Sequence, residues 1–167
     1  MNKLILMAIL ILPMLCAGGI VQAEDRNVEV RFYTGKAAWL DEDTPFDHTV
    51  FGASVRVYLT ERLAIEPEFA YLRGPGDDRD YLIVPNISFD LFKSGNNRVF
   101  VIGGAGLIRN TAKFPGALDP EFSVNGWTAT GGIGVSVHLS EHWFAGGDAR
   151  FGWEPLLRFN AGIGYRF

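Results

Sequence analysis

Among the side chains able to do chemistry, His138 and Ser140 stand two residues apart. An imidazole beside a hydroxyl can act as the base that activates a serine for ester hydrolysis. His138 and His142 stand four apart, a zinc-ligand spacing when the carrier is a helix. Asp41-Glu42-Asp43 and Asp77-Asp78-Arg79-Asp80 gather the carboxylate oxygens that a hard cation such as calcium takes. A wider set holds Glu29, Glu66, Glu68, Asp90 and Asp148 against Arg31, Arg56, Arg150, Arg158 and Arg166. Equal numbers of the two signs, with arginine as the base throughout, suit mutual pairing in a confined space. What any of these sets can do depends on the elements that carry it.

The carrier is a chain of 167 residues with a formal net charge of −4, 20% charged and 48% hydrophobic. That length and balance describe one globular domain and exclude a disordered tail and a coiled coil. The acidic balance excludes a nucleic-acid partner, which needs a basic face. Twenty glycines beside four Trp, five Tyr and thirteen Phe suit strands that pack closely or curve. Residues 1–23 read as a secretory signal: Lys3, an apolar run from Leu4 to Leu15, and Val21-Gln22-Ala23 as a small-residue cleavage site. Cleavage removes Cys16, the one cysteine, so the domain expected over 24–167 has no disulfide and no thiol ligand.

Beyond the leader the dominant signal is a period of two. Leu157, Phe159, Ala161, Ile163, Tyr165 and Phe167 alternate with Arg158, Asn160, Gly162, Gly164 and Arg166. Successive strand side chains point to opposite faces, so this segment has an apolar and a polar face; a helix would mix them. The same alternation places Trp143, Ala145, Ala149 and Phe151 against Asp148 and Arg150, and Ile65, Pro67, Phe69 and Tyr71 against Glu66 and Glu68. Segments around 28–32, 51–59, 81–91 and 127–139 behave alike, whereas 98–112 is apolar on both faces and its register stays open. Thr60-Glu61-Arg62, Lys93 to Asn97, and Ser140-Glu141-His142 are tight turns, and longer links fall at 40–47, 73–79, 112–121 and 153–156. Eight antiparallel strands with short turns on one side and longer links on the other predict an all-β, up-and-down transmembrane barrel.

A soluble barrel would turn the apolar face inward. Here the aromatics of that face gather at strand ends: Phe51, Tyr71, Tyr81, Trp127 and Trp153 toward the links, Phe89, Trp143, Tyr165 and Phe167 toward the turns. Amphipathic rings belong at the headgroup level of a membrane, which puts the apolar face in lipid and the ten charges in the lumen. Glycines of the polar face, among them Gly132, Gly134, Gly162 and Gly164, are expected to leave room in a narrow interior.

The closing segment Ala161-Gly162-Ile163-Gly164-Tyr165-Arg166-Phe167 resembles that of small outer-membrane barrel proteins, the group similar to the outer-membrane protein A transmembrane domain. The resemblance implies an outer-membrane location and recognition of Ile163, Tyr165 and Phe167 by the barrel assembly machinery. It leaves activity open among structural barrels, small pores, adhesion and serum-resistance proteins, and a few lipid-modifying enzymes. His138-Leu139-Ser140 also resembles the His-x-Ser pair of outer-membrane lipid A deacylases, but Glu141 follows where that family has Asn, and Gly152 stands near its acidic position.

Strand geometry weighs against zinc at His138 and His142, because same-face neighbours on a strand are two apart. The acidic runs lack rigid spacing behind them and read as solvated loops. The expectation is therefore a non-enzymatic outer-membrane barrel with a structural or surface-interaction role, a lumen closed by paired charges, and no metal or cofactor. Its expected partners are outer-membrane lipids and lipopolysaccharide. A deacylase-like hydrolase using His138 and Ser140, and a narrow channel, are the alternatives.

Overall fold

The computed structural model describes residues 28–39, 46–76, 78–95, 97–113, 121–153 and 156–167. The signal-peptide reading and most of the longer links lie outside these. Eight strands follow in chain order: β1 (Val28–Trp39), β2 (His48–Tyr58), β3 (Leu63–Arg73), β4 (Arg79–Ser94), β5 (Asn97–Lys113), β6 (Glu121–His138), β7 (Trp143–Gly152) and β8 (Leu156–Arg166). Each pairs antiparallel with its sequence neighbour, and β1 pairs with β8 to close the barrel. Closure removes every free strand edge, which is what permits strands to cross a bilayer. No helix among the described residues is long and apolar enough to cross a membrane.

Two hairpin turns are built alike. Leu59 and Thr60 donate their N–H groups to the carbonyl of Leu63, while Thr60 Oγ1 accepts from Leu63 N at 3.0 Å. Leu139 and Ser140 donate to the carbonyl of Trp143, and Ser140 Oγ accepts from Trp143 N at 3.1 Å. The hydroxyl satisfies an amide that the turn would otherwise leave unpaired.

Alternation settles the two faces. Phe32, Phe51, Ile87, Leu107, Trp127, Ile133 and Phe159 point outward and are exposed, whereas the charged partners of the pattern are buried inside. The outward aromatics do form two bands. Tyr71 and Tyr81 pack 5.2 Å apart toward the longer links, and Tyr165 packs against Trp143 at 5.2 Å and Phe167 at 5.0 Å toward the turns. In β5 the inward set is Arg98, Phe100, Ile102 and Ile108, opposite outward Val101 and Leu107. Both faces are apolar there because one faces lipid and the other fills the lumen. A bulge between Asp90 and Phe92 shifts the β4–β5 register by one, and Leu91 and Phe92 are both exposed there.

The lumen is layered. Toward the longer links it is filled by Ala37, Val50, Leu72, Leu82, Ile108 and Leu156, each 2% exposed or less. These apolar residues occupy inward positions of strands whose outward positions are apolar too. Eight strands leave an interior about wide enough for side chains to fill.

Candidate functional site

The charged residues of the alternating pattern meet inside the barrel, below that apolar layer. Glu68 is the centre: Arg158 Nη1 donates to it at 3.0 Å and Asn86 Nδ2 at 3.1 Å, and Arg150 and the Tyr33 hydroxyl also donate to it. Asp148 accepts from Arg150 Nε and from Asn160 Nδ2, each at 2.8 Å, and forms an ion pair with Arg31, whose Nη2 lies 2.8 Å away. Glu66 accepts from Arg56 Nε at 2.6 Å and from Ser54 Oγ at 2.9 Å. Toward the turns, Glu29 is gripped by both terminal nitrogens of Arg98 at 3.1 and 3.0 Å and by Arg166 Nη2 at 2.6 Å. Asp90 takes Lys93 Nζ at 3.0 Å and the Tyr58 hydroxyl at 3.2 Å. These groups are joined by two longer ion-pair contacts, Arg31 to Glu66 and Arg56 to Glu29, each at 3.8 Å.

Register explains how distant residues meet. Arg150 opposes Arg158 across β7–β8, and Arg56 opposes Glu29 across β1–β2. Like charges facing each other on one ladder would repel. Glu68 on β3 reaches both Arg150 and Arg158 and offsets that repulsion. Burial raises the stakes, because an ion without partners in a low-dielectric interior is costly.

Sequence reasoning missed Arg98, since the strand carrying it is apolar on both sides. It also missed Tyr33 and Tyr58, and it placed Ser54, Asn86 and Asn160 on the polar face without naming them as partners of the charges. Their signal was available: each occupies an inward position of its strand. The glycines differ from expectation more. A Cβ on Gly52 would lie 2.2 Å from the Tyr33 ring, on Gly134 2.4 Å from Phe100, and on Gly164 2.2 Å from Phe144. Each ring belongs to a residue directly opposite its glycine on the neighbouring strand. The space left by the glycines is therefore occupied by aromatic rings, with Arg56 lying 4.3 Å over the Phe100 ring. A void of about 10 Å³, room for one water, remains between Arg31, Arg56, Phe100 and Phe144.

The His-Ser pair is placed otherwise. His138 takes an inward position and packs against Phe144, ring centres 5.8 Å apart. Ser140 is exposed in its turn, making the same contact as Thr60 in the equivalent hairpin. His142 lies over Tyr165 with ring centres 5.4 Å apart. On the same side of the barrel, Ile163 and Phe167 face outward and are 47% and 71% exposed, which suits lipid contact. The run 41–43 and Asp77 lie outside the described residues, but Asp78 and Asp80 do not form a free acidic loop: His48 Nε2 is 3.0 Å from Asp78 and 3.7 Å from Asp80.

An apolar belt facing outward, aromatic bands at both ends and a charged, side-chain-filled interior define an eight-stranded outer-membrane barrel. The sequence matches the outer membrane protein beta-barrel domain family over residues 7–167, and the chain belongs to that family. Its fold is similar to the N-terminal β-barrel domain of Pseudomonas aeruginosa OprF, at 16% identity and TM-score 0.67, covering 86% of this chain and 98% of that one. It is similar also to Neisserial surface protein A, at 12% identity and TM-score 0.64, covering 84% of this chain and 94% of that one. A third likeness is to Ail, the attachment invasion locus protein of Yersinia pestis, at 14% identity and TM-score 0.62, covering 87% and 100%. Ail has also been crystallised with the heparin analogue sucrose octasulfate. De novo designed transmembrane β-barrels share the architecture as well, at 14% identity and TM-score 0.57, covering 88% of this chain and all of theirs. At such identities the likeness speaks for fold alone. No curated protein matches the sequence.

Proposed function

We propose that residues 24–167, freed of the leader at 1–23, form a non-enzymatic outer-membrane barrel whose interior is sealed and whose working surface is its outer rim. The observation that carries this reading is the two-layer lumen. Charges pair around Glu68 and Asp148, and the apolar layer of Leu72, Leu82, Ile108 and Leu156 lies across the barrel beyond them. A conducting pore needs continuous water along its axis, and side chains packed across the lumen weigh against it. The refolded protein, inserted in a planar bilayer, should pass no steady current above background. Stable unitary conductance with ion preference would overturn the sealed reading in favour of a channel. The turn bond that Ser140 shares with Thr60 supports a structural role for that serine and weighs against a hydrolase.

The tight turns face the periplasm in this reading, and the longer links at 40–47, 73–79, 112–121 and 153–156 face outside. A cysteine placed at exposed Pro75 should react with a membrane-impermeant maleimide on intact cells, and one at Glu61 should not. The reverse pattern would invert the barrel.

The outer rim carries a basic row. Lys36, Thr49, Arg73 and Arg79 stand opposite one another in turn across β1 to β4 on the outward face beyond Tyr71, and Arg109, opposite Tyr81, lies outward level with it. On an acidic protein, such a row at headgroup depth fits the phosphates of lipopolysaccharide, each cation contributing about 1 kcal/mol near an anionic surface. Arg73→Glu with Arg109→Glu should weaken retention of lipid A bisphosphate without affecting binding of dephosphorylated lipid A. Equal loss of both lipids would remove the phosphate reading.

Ile163, Tyr165 and Phe167 complete the proposal as the segment read by the barrel assembly machinery. Phe167→Ala should refold nearly as well as wild type in detergent, where one exposed ring matters little, yet assemble poorly in cells. Equal assembly at matched expression would dismiss the recognition role.

A further inference from the structure

We propose that His48, Asp78 and Asp80 form a binding site for a zinc-class divalent cation at the loop end of the barrel. The three donors come from separate parts of the chain. His48 opens β2, Asp80 lies in β4, and Asp78 sits in the β3–β4 turn, where its amide donates to the Pro75 carbonyl at 3.2 Å and its carbonyl accepts from Gly74 N at 3.1 Å. Strand β3 lies between β2 and β4, so only the curved sheet brings them together.

Their ligand atoms all lie within 4.8 Å of one another. Ligands about 2.0–2.1 Å from a tetrahedral ion stand about 3.3 Å apart. The observed separations from His48 Nε2, 3.0 Å to Asp78 Oδ2 and 3.7 Å to Asp80 Oδ2, bracket that edge.

Three further features fit a metal centre better than a simple acidic patch. First, the anchor is an imidazole that is 1% exposed, and Asp80 beside it is 2% exposed. Second, the far ring nitrogen is already oriented: His48 Nδ1 lies 2.6 Å from Asp47 Oδ1. A carboxylate on that nitrogen fixes its proton there and turns Nε2 toward the ion, as metal-ligating histidines generally require. Third, residue 74 is glycine. A Cβ there would lie 2.4 Å from His48 Nε2 and 2.8 Å from Asp78 Oδ2, filling the space in front of both donors. Asp78, with 30% of its side chain exposed, provides the entry path.

One nitrogen and two carboxylates suit zinc and its first-row neighbours, whereas calcium seeks six to eight oxygens. The ion would take the place of the direct contact between Nε2 and Asp78, and it would tie β2 to the β3–β4 turn. Water would complete the coordination, as in zinc sites with three protein ligands.

Untagged, refolded 24–167 in detergent provides the test, with Zn²⁺ followed by calorimetry and Co²⁺ by its visible absorption. The expected result is one ion per barrel, with calcium failing to compete at tenfold excess. Asp47→Asn should weaken binding by about 10–100-fold. Asp78→Asn, in a turn outside the barrel wall, should weaken it at least as much while leaving the barrel folded, and His48→Ala should abolish it. Absence of saturable binding up to about 1 mM zinc, or binding unchanged in Asp78→Asn, would overturn the site. In that case the imidazole is held by its carboxylates without a metal.

Discussion

Glu68→Ala should destabilise the barrel by about 3–5 kcal/mol, the loss expected when one member of a buried ion set is removed and its partners stay. Two guanidiniums depend on this carboxylate, those of Arg150 and Arg158, and neither has more than 1% of its side chain exposed. Tyr33 and Asn86 also donate to it. Removing it leaves two positive charges facing each other across β7–β8 with their counter-charge gone. Asp148 continues to hold Arg150 at 2.8 Å, so Arg158 bears most of the damage. Glu68→Gln separates charge from shape. It keeps an acceptor for Tyr33 and removes the negative charge, so it should recover only a minor part of the loss. Urea unfolding of the refolded protein in lipid vesicles measures both variants. A change below about 1 kcal/mol for the alanine variant would mean that water reaches this set, and the sealed interior would fall with it.

The prediction rests on residues that sequence alternation could place. Glu66 and Glu68 oppose Ile65, Pro67 and Phe69 along a single strand, and a period of two needs no partner to be read. The eight strands, their closure and the inward charges were legible for that reason. Contacts that depend on register were not. Arg98 lies on a strand that is apolar on both sides, and its link to Glu29 crosses from β5 to β1 through the lumen. The role of Gly52, Gly134 and Gly164 could not be read either, because it requires knowing which ring stands opposite on the next strand. His48 and Asp80 are separated by a whole strand and a turn. Their meeting follows from curvature and not from spacing, and it turned an acidic run that looked solvated into a partly buried cluster.

The closing seam gives a second large effect, and it separates glycines that the sequence treats alike. Gly162 stands opposite Tyr33 where β8 meets β1. A Cβ there would lie 2.2 Å from the Phe32 carbonyl oxygen and 2.8 Å from Tyr33 Cα. Both are backbone atoms paired in the ladder, so neither can swing aside as a flexible side chain would. Tyr33 is held from its other end as well, since its hydroxyl donates to Glu68. Gly162→Ala must therefore move β8 away from β1, and a cost near the upper end of the 1–3 kcal/mol typical of overpacking, about 3 kcal/mol, is expected. Gly131 provides the control. It lies on the outward face, and its nearest contact to an added Cβ would be the Ile102 carbonyl oxygen at 3.9 Å. Alanine there adds no clash and reduces the freedom of the unfolded chain, so Gly131→Ala should be neutral or slightly stabilising. Gly52→Ala should fall between them, because the atoms it meets belong to the Tyr33 ring, which can tilt only by straining its bond to Glu68. Urea midpoints for the three variants should rank Gly131→Ala highest and Gly162→Ala lowest. Equal midpoints would show that the seam yields as easily as the lipid-facing wall, and tight β1–β8 closure would then not be what holds Tyr33 against the charged centre.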